Sequence, residues 1–212
     1  MASGLFITLE GGEGVGKSTQ ARLLVDALRS HGYDVHATRE PGGSPAAEAL
    51  RNLMLFGEAP LSTRAEILAH FAARFDHVDQ VIKPALAAGQ IVLCDRFTDS
   101  TMAYQGYGRS MGDESILSLI RMLDGNLGLQ PDRTFLLETP REIARQRLAA
   151  RKAPTDRYEQ ADEAFHARVI AGFQTIAGQN AGRIKRVDTS SLSVEDVNSL
   201  IVRDILAIRA HV

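Results

Sequence analysis

The segment Gly11-Gly12-Glu13-Gly14-Val15-Gly16-Lys17-Ser18 fits the phosphate-binding pattern G-x-x-x-x-G-K-[ST] without a mismatch. Its glycines let the backbone turn tightly and bring N–H groups against phosphate oxygens. Lys17 can reach the β- and γ-phosphates of a nucleotide, and the Ser18 hydroxyl can ligate Mg²⁺. Ser18 and Thr19 open a helical pattern whose positive end points at the same anion. A glycine-rich turn without a ligand is the alternative, but the Lys-Ser ending and the strand–loop–helix setting favour the nucleotide. Glu13 is the odd member, since an acid in an anion cradle is unfavourable unless it meets a donor or a metal.

Further charged residues stand where chemistry would need them. Arg39 follows the second apolar run, and Asp95-Arg96 closes the third. Arginine binds phosphate oxygens through a planar, permanently charged fork, so these two read as phosphate clamps, with surface ion pairs as the alternative. Asp95 at the end of Ile91-Val92-Leu93-Cys94 has the Walker-B character of an acid that orients Mg²⁺; helix capping or a bond from an arginine are its other readings. Cys94 reads as a core residue. Arg147, Arg151, Lys152 and Arg157 crowd a short junction between two helical patterns, which suggests a basic lid at about 147–160. The alternative is a solvated basic helix end.

The elements that must position these groups alternate in type. Leu5–Leu9, Tyr33–Thr38, Ile91–Cys94, Arg133–Glu138 and Arg183–Val187 read as strands. Helical patterns run over Ser18–Arg29, Ser44–Leu55, Arg64–Ala88, Ser115–Leu123, Arg141–Ala150, Asp162–Gly178 and Val194–Arg209, with Pro140 at a helix start and Gly89 at a helix end. Alternation of this kind predicts an α/β fold: a five-stranded parallel sheet with helices on both faces. Ligands of such sheets gather at the carboxyl ends of the strands, where all the groups above fall. Pro41-Gly42-Gly43, Gly106–Ser110 and Arg151–Asp156 read as mobile loops. None is long enough to be a domain linker, so residues 1–212 read as a single domain.

Bulk properties narrow the function. With 44% hydrophobic and 24% charged residues the composition is that of an ordinary soluble globular protein. A net charge of −2 gives no electrostatic ground for a nucleic-acid partner. One cysteine excludes an internal disulfide and an all-cysteine zinc site. No run approaches a membrane span, and the N-terminus lacks a signal-peptide pattern, so the cytoplasm is the expected location. A guanine-nucleotide switch would carry an Asn/Thr-Lys-x-Asp motif, which is absent. A motor or segregation ATPase would show a basic partner surface. A kinase with a phosphate-bearing acceptor needs a second anion pocket, for which Arg39 and Arg96 are candidates.

The chain resembles thymidylate kinases of the bacterial type from Leu5 to about Phe165. The motifs are Glu-Gly-Gly-Glu-Gly-Val-Gly-Lys-Ser (10–18), Thr-Arg-Glu-Pro-Gly-Gly (38–43), Phe-Ala-Ala-Arg (71–74), Asp-Arg-Phe (95–97), Ala-Tyr-Gln-Gly (103–106) and Asp-Arg-Tyr-Glu (156–159). The resemblance implies a P-loop NTPase fold and the reaction ATP + dTMP → ADP + dTDP with Mg²⁺. It implies that Glu13 contacts the acceptor sugar 3′-hydroxyl and that Arg39 and Arg96 hold the acceptor phosphate. Arg74 would bond the thymine edge, Tyr104 would crowd the 2′ position, and Thr101 and Gln105 would lie on the base side. The aromatic that many relatives place four residues before the arginine is His70 here, and Phe71 is favoured as the stacking ring. Because the loop carries Glu13 and the basic residues stand at Arg147 and Arg151, the chain looks like the subtype whose lid supplies the catalytic arginine, with Arg151 the first choice. A homodimer through the Ser44–Leu55 and Arg64–Ala88 helices is implied as well. A kinase for another pyrimidine monophosphate is the alternative, and Asp188–Ser191 is the candidate donor-base edge.

Overall fold

The computed structural model describes residues 4–150 and 157–210. Strands β1 (Leu5–Glu10), β2 (Val35–Arg39), β3 (Ile91–Asp95), β4 (Arg133–Glu138) and β5 (Ile184–Asp188) form one parallel sheet in the order β2-β3-β1-β4-β5. The central strand β1 is buried along its whole length, as a strand covered on both faces must be. Its alternation divides the core. Leu5, Ile7 and Leu9 pack with Leu24 and Leu28 of α1 (Lys17–Ser30) and with Ile201 and Ile205 of α9 (Val194–Arg209). Phe6 points the other way, into a cluster with Ile67, Phe71, Phe97 and Ile120. Thr8 and Glu10 are the polar residues on that second face; the Thr8 hydroxyl shares a 2.7 Å hydrogen bond with the Thr134 hydroxyl of β4.

The remaining helices are α2 (Pro45–Phe56), α3 (Thr63–His77), α4 (Lys83–Ala87), α5 (Thr98–Thr101), α6 (Glu114–Gly125), α7 (Arg141–Ala149) and α8 (Glu163–Gln179). Ser44, Ser62, Asp113, Asp162 and Ser193 each cap the helix that follows by accepting a backbone N–H.

Two expectations from the sequence need correction. The helix read over Arg64–Ala88 is continuous but not regular: after His77 its turns widen through Val78–Ile82 before the α-helical winding resumes as α4, with Pro84 just inside α4. Proline lacks the N–H that a regular ladder would use there. The stretch Gly106–Ser110, read as a mobile loop, is largely helical and packed. Residues Met102–Arg109 continue α5 as wide helical turns, and Gly106 and Gly108 are buried. Gly108 is needed for contact, since a Cβ there would meet Val169 Cγ2 at 2.7 Å and Phe165 Cε2 at 2.8 Å. The missing side chain lets α8 lie directly against this segment.

Candidate active site

The carboxyl ends of β1, β2 and β3 open into one cleft of about 440 Å³. Its donor side is the loop between β1 and α1, where Gly11, Gly14 and Gly16 take positive φ. Lys17 folds back over this loop and donates to the carbonyls of Gly11 (3.1 Å) and Gly12 (2.7 Å). Burial first, then the nearby Arg96 charge, lowers the Lys17 pKa below its ordinary value. Both effects favour a lysine that exchanges carbonyls for phosphate oxygens. Gly14, Gly16, Ser18 and Thr19 line the cleft, while Val15 is buried in the core beneath it.

Ser18 Oγ donates to Asp95 Oδ2 at 3.2 Å, and Asp95 Oδ1 is buried without a partner among the described residues. A buried carboxylate oxygen left unpaired is costly unless a ligand completes it. The pair therefore fits a cation held jointly by this hydroxyl, this carboxylate and nucleotide phosphates. Among the described residues no cluster of three or more His, Cys, Asp or Glu could hold a metal by itself.

The acceptor side is built from side chains that pair before any substrate arrives. Arg96, at the end of β3, sits at a φ of 71°, uncommon for a residue with a Cβ. Its guanidinium donates to Gly11 O (2.9 Å), Ser100 Oγ (3.0 Å), Glu13 Oε1 (2.6 Å) and Tyr104 Oη (3.1 Å). Tyr104 in turn donates to Glu13 Oε1 at 2.9 Å. Burial disfavours the Arg96 charge, but Glu13 and the neighbouring groups more than offset it and raise its pKa. Glu13 thus meets donors, which resolves the sequence oddity of an acid within a phosphate loop. Glu10 supports the same turn from below, accepting from Phe97 N at 2.7 Å. Burial, reinforced by the Asp99 charge, pushes the Glu10 pKa up to about 7.

Arg74 comes from α3 and reaches the floor of the cleft. Its Nε donates to Glu40 Oε2 (2.6 Å), and its Nη2 donates to Thr101 Oγ1 (3.0 Å) and Phe97 O (3.3 Å). Its Nη1 is buried with no partner among the described residues. Glu40 also bonds His77 Nδ1 at 3.0 Å, and His77 Nε2 bonds Thr38 Oγ1 at 2.7 Å. The left-handed Gly43 makes room for this network, since a Cβ there would fall 2.2 Å from His77 Nε2. Arg39 is different in kind: it is exposed at the rim and holds Glu48 at 3.0 and 3.1 Å.

Phe71, favoured as the stacking ring, is not brought to the cleft. It is 1% exposed, packs in the core with Phe6 and Phe97, and carries the Arg74 guanidinium over its ring at 4.8 Å. Its side chain falls on the inward, sheet-facing side of α3, which the spacing to Arg74 alone did not separate from the cleft side. His70 and Phe97 line the cleft instead. Burial and the Arg74 charge lower the His70 pKa to about 4, so its ring is neutral.

At the donor edge, Arg147 also lines the cleft and donates to Thr189 Oγ1 (3.1 Å) and Thr189 O (2.8 Å). Thr189 Oγ1 donates to Val15 O, so the loop after β5 is tied to the back of the phosphate loop. Arg151 and Lys152 lie outside the described residues.

Sequence reasoning missed three acids: Glu10, Glu40 and Glu66. Glu66 is fully buried on α3 and accepts from Gln105, Tyr158 and Arg109 at 2.8, 2.8 and 2.7 Å, and from Arg157. The available signal was the i, i+4, i+8 row Glu66, His70 and Arg74, a polar stripe on an otherwise apolar helix face.

One anion site made of backbone and another made of arginines, set in one cleft over a β2-β3-β1-β4-β5 sheet, place the chain among the P-loop kinases that move a phosphoryl group between two small nucleotides. The comparisons with known proteins narrow that class. The family model described as thymidylate kinase matches residues 9–201, and the chain belongs to the thymidylate kinase family. It is 59% identical to a thymidylate kinase of Gluconobacter oxydans over 185 residues, covering 87% of this chain and 86% of that one. It is 51% identical to a thymidylate kinase of a Synechococcus species over 191 residues, covering 90% and 89% of the two chains. The crystal structure of thymidylate kinase from Ehrlichia chaffeensis superposes with a TM-score of 0.77 at 35% identity, covering 96% of this chain and 99% of that one.

Proposed function

We propose that the chain transfers the γ-phosphoryl group of ATP to dTMP, giving ADP and dTDP. Its family membership supports the reaction. The observation that carries the acceptor assignment is the Nη1 of Arg74, a buried donor with no partner among the described residues, on a side chain that lines the cleft. A pyrimidine carbonyl would satisfy it.

In this reading Gly11–Thr19 cradle the ATP phosphates and Lys17 follows the β- and γ-oxygens. Arg39 and Arg96 orient the dTMP phosphate, one oxygen of which attacks Pγ as the bond to the β-bridging oxygen breaks. That oxygen is already anionic near neutral pH, so no strong base is needed. Positioning and charge stabilisation do the rest. Ser18 and Asp95 would hold Mg²⁺, whose positive charge would offset that of the nucleotide phosphates. Glu13 meets the sugar 3′-hydroxyl, Tyr104 crowds the 2′ position, and His70 with Phe97 flanks the base. Thr101 and Gln105 lie on the base side. Arg151, the first choice over Arg147, supplies lid charge to the transferring group.

Residues 1–212 act as one kinase domain with a lid at about 147–160, working in the cytoplasm. No helix among the described residues is long and apolar enough to cross a membrane. The homodimer is supported by the exposed Leu53 and Phe56 of α2 and Leu68 of α3, large apolar side chains on the two helices the family resemblance selects. Light scattering should give twice the monomer mass.

The deciding experiment measures ADP release with ATP and each of dTMP, dUMP, UMP, CMP, AMP and GMP. The highest kcat/KM is expected with dTMP. Best activity with a purine or with CMP sinks the assignment, and ATP hydrolysis indifferent to every acceptor sinks the kinase reading altogether.

A further inference from the structure

A carboxylate can only accept hydrogen bonds, so whatever donates to it has its orientation fixed. Glu66 Oε1 takes the amide Nε2 of Gln105 at 2.8 Å and the hydroxyl of Tyr158 at 2.8 Å. The same Gln105 Nε2 lies 3.0 Å from Tyr158 Oη and 3.4 Å from His70 Nε2. Every donor of this cluster is therefore turned toward Glu66 or its neighbours. The atom of Gln105 left for the cleft, which this residue lines, is its carbonyl Oε1. Arg109 and Arg157 hold the other carboxylate oxygen and keep Glu66 ionised. Burial opposes that charge, but the bonds from Gln105 and Tyr158 and the two arginines hold its pKa below the usual carboxylate range.

The cleft wall thus presents a fixed pattern, with a donor at Arg74 Nη1 and an acceptor at Gln105 Oε1. A uracil-type base edge offers a carbonyl acceptor and an N3–H donor. Cytosine offers an amino donor and an N3 acceptor, so it would set donor against donor and acceptor against acceptor. We propose that Glu66, which is fully buried and does not itself line the cleft, is the positioning residue that locks Gln105 with its carbonyl toward the base and so makes the pocket select uracil-type over cytosine-type nucleotides. The inference rests on the dTMP assignment above.

The test is steady-state kinetics with dTMP, dUMP and dCMP, comparing the wild-type enzyme with Glu66→Gln. A glutamine at 66 can donate as well as accept, so the Gln105 amide is free to turn over. The dUMP-to-dCMP ratio of kcat/KM should fall by about tenfold or more, because a mismatched buried donor or acceptor is what enforces such selection. The dTMP-to-dUMP ratio, which reads only the methyl group, should stay within about twofold. If all three substrates lose activity together with their ratios intact, Glu66 is merely structural and the proposal fails. Should Glu66→Gln not fold, Gln105→Ala must show the same loss of dCMP rejection, and an unchanged ratio there overturns the proposal equally. A wild-type enzyme inactive on dTMP would sink the assignment beneath it, an outcome distinct from either.

Discussion

On the donor side of the cleft, recognition is carried by main chain: a glycine loop, a helix start and a lysine parked on two carbonyls. On the acceptor side it is carried by arginines that are already bonded, Arg96 to Glu13 and Arg74 to Glu40. The difference follows from what each side must read. Phosphates are alike in every nucleotide, so generic N–H groups suffice. A particular base and sugar need donors and acceptors fixed at particular points, and fixing them inside a protein requires buried counter-charges. Selectivity on the acceptor side is therefore bound up with folding stability, whereas catalytic charge on the donor side is not.

The largest expected effect tests that division. Arg151→Ala should lower kcat by about 10³–10⁵ with little change in KM and no change in denaturation midpoint, since an arginine supplied to the transferring phosphoryl acts only in the transition state. A kcat within a few-fold of the parent would mean that the lid does not supply the cation. Arg74→Leu should behave in the opposite way. It leaves Glu40, 2% exposed at its side chain, without its guanidinium partner and with His77 Nδ1 as its other side-chain contact among the described residues. Breaking a buried pair of this kind costs about 3–5 kcal/mol, which urea denaturation would read as a large loss of midpoint. Unchanged stability would show that Glu40 does not depend on Arg74.

Glu10 extends the contrast to pH. Its folded pKa is raised from 4.5 to about 7, so between those values the native state binds a proton that the unfolded chain does not. By linkage the contribution is most favourable below pH 4.5 and is lost as pH rises through 7. Glu10→Gln should therefore be more stable than the parent at pH 8 by up to about 3 kcal/mol, and the difference should shrink toward pH 5. A difference that does not vary with pH would rule out a raised Glu10.

These three acids also mark where the sequence stopped being readable. The five strands, the phosphate loop, Asp95-Arg96 and the β/α alternation were visible because each is a local pattern: an apolar run, a glycine spacing, a charge at a strand end. Glu40, Glu66 and Glu10 act through partners 34, 39 and 90 positions away, such as Arg74, Gln105 and Ser100. No local pattern encodes such a pairing. Phe71 failed for the same reason, because helical spacing gave its approximate side but not which neighbour would cover it. The buried helical course of Met102–Arg109 was hidden because glycines that signal a loop also permit close packing.

Arg39 gives the smallest expected effect overall and the sharpest contrast with Arg74. Both arginines follow from the same sequence logic, and both line the cleft. Yet the Arg39 side chain is 55% exposed and its partner Glu48 38% exposed, against 3% and 2% for Arg74 and Glu40. Water screens the first pair, so its contribution to folding is at most about 1 kcal/mol. Arg39→Ala should leave the denaturation midpoint nearly unchanged while raising KM for dTMP about tenfold, the value of one charge-assisted contact to phosphate. If KM did not move, Arg39 would belong to the surface and Arg96 would hold the acceptor phosphate without it. If instead the midpoint fell as far as in Arg74→Leu, exposure would not be what separates the two arginines, and the division between a stability-coupled acceptor floor and an uncoupled rim would have to be abandoned.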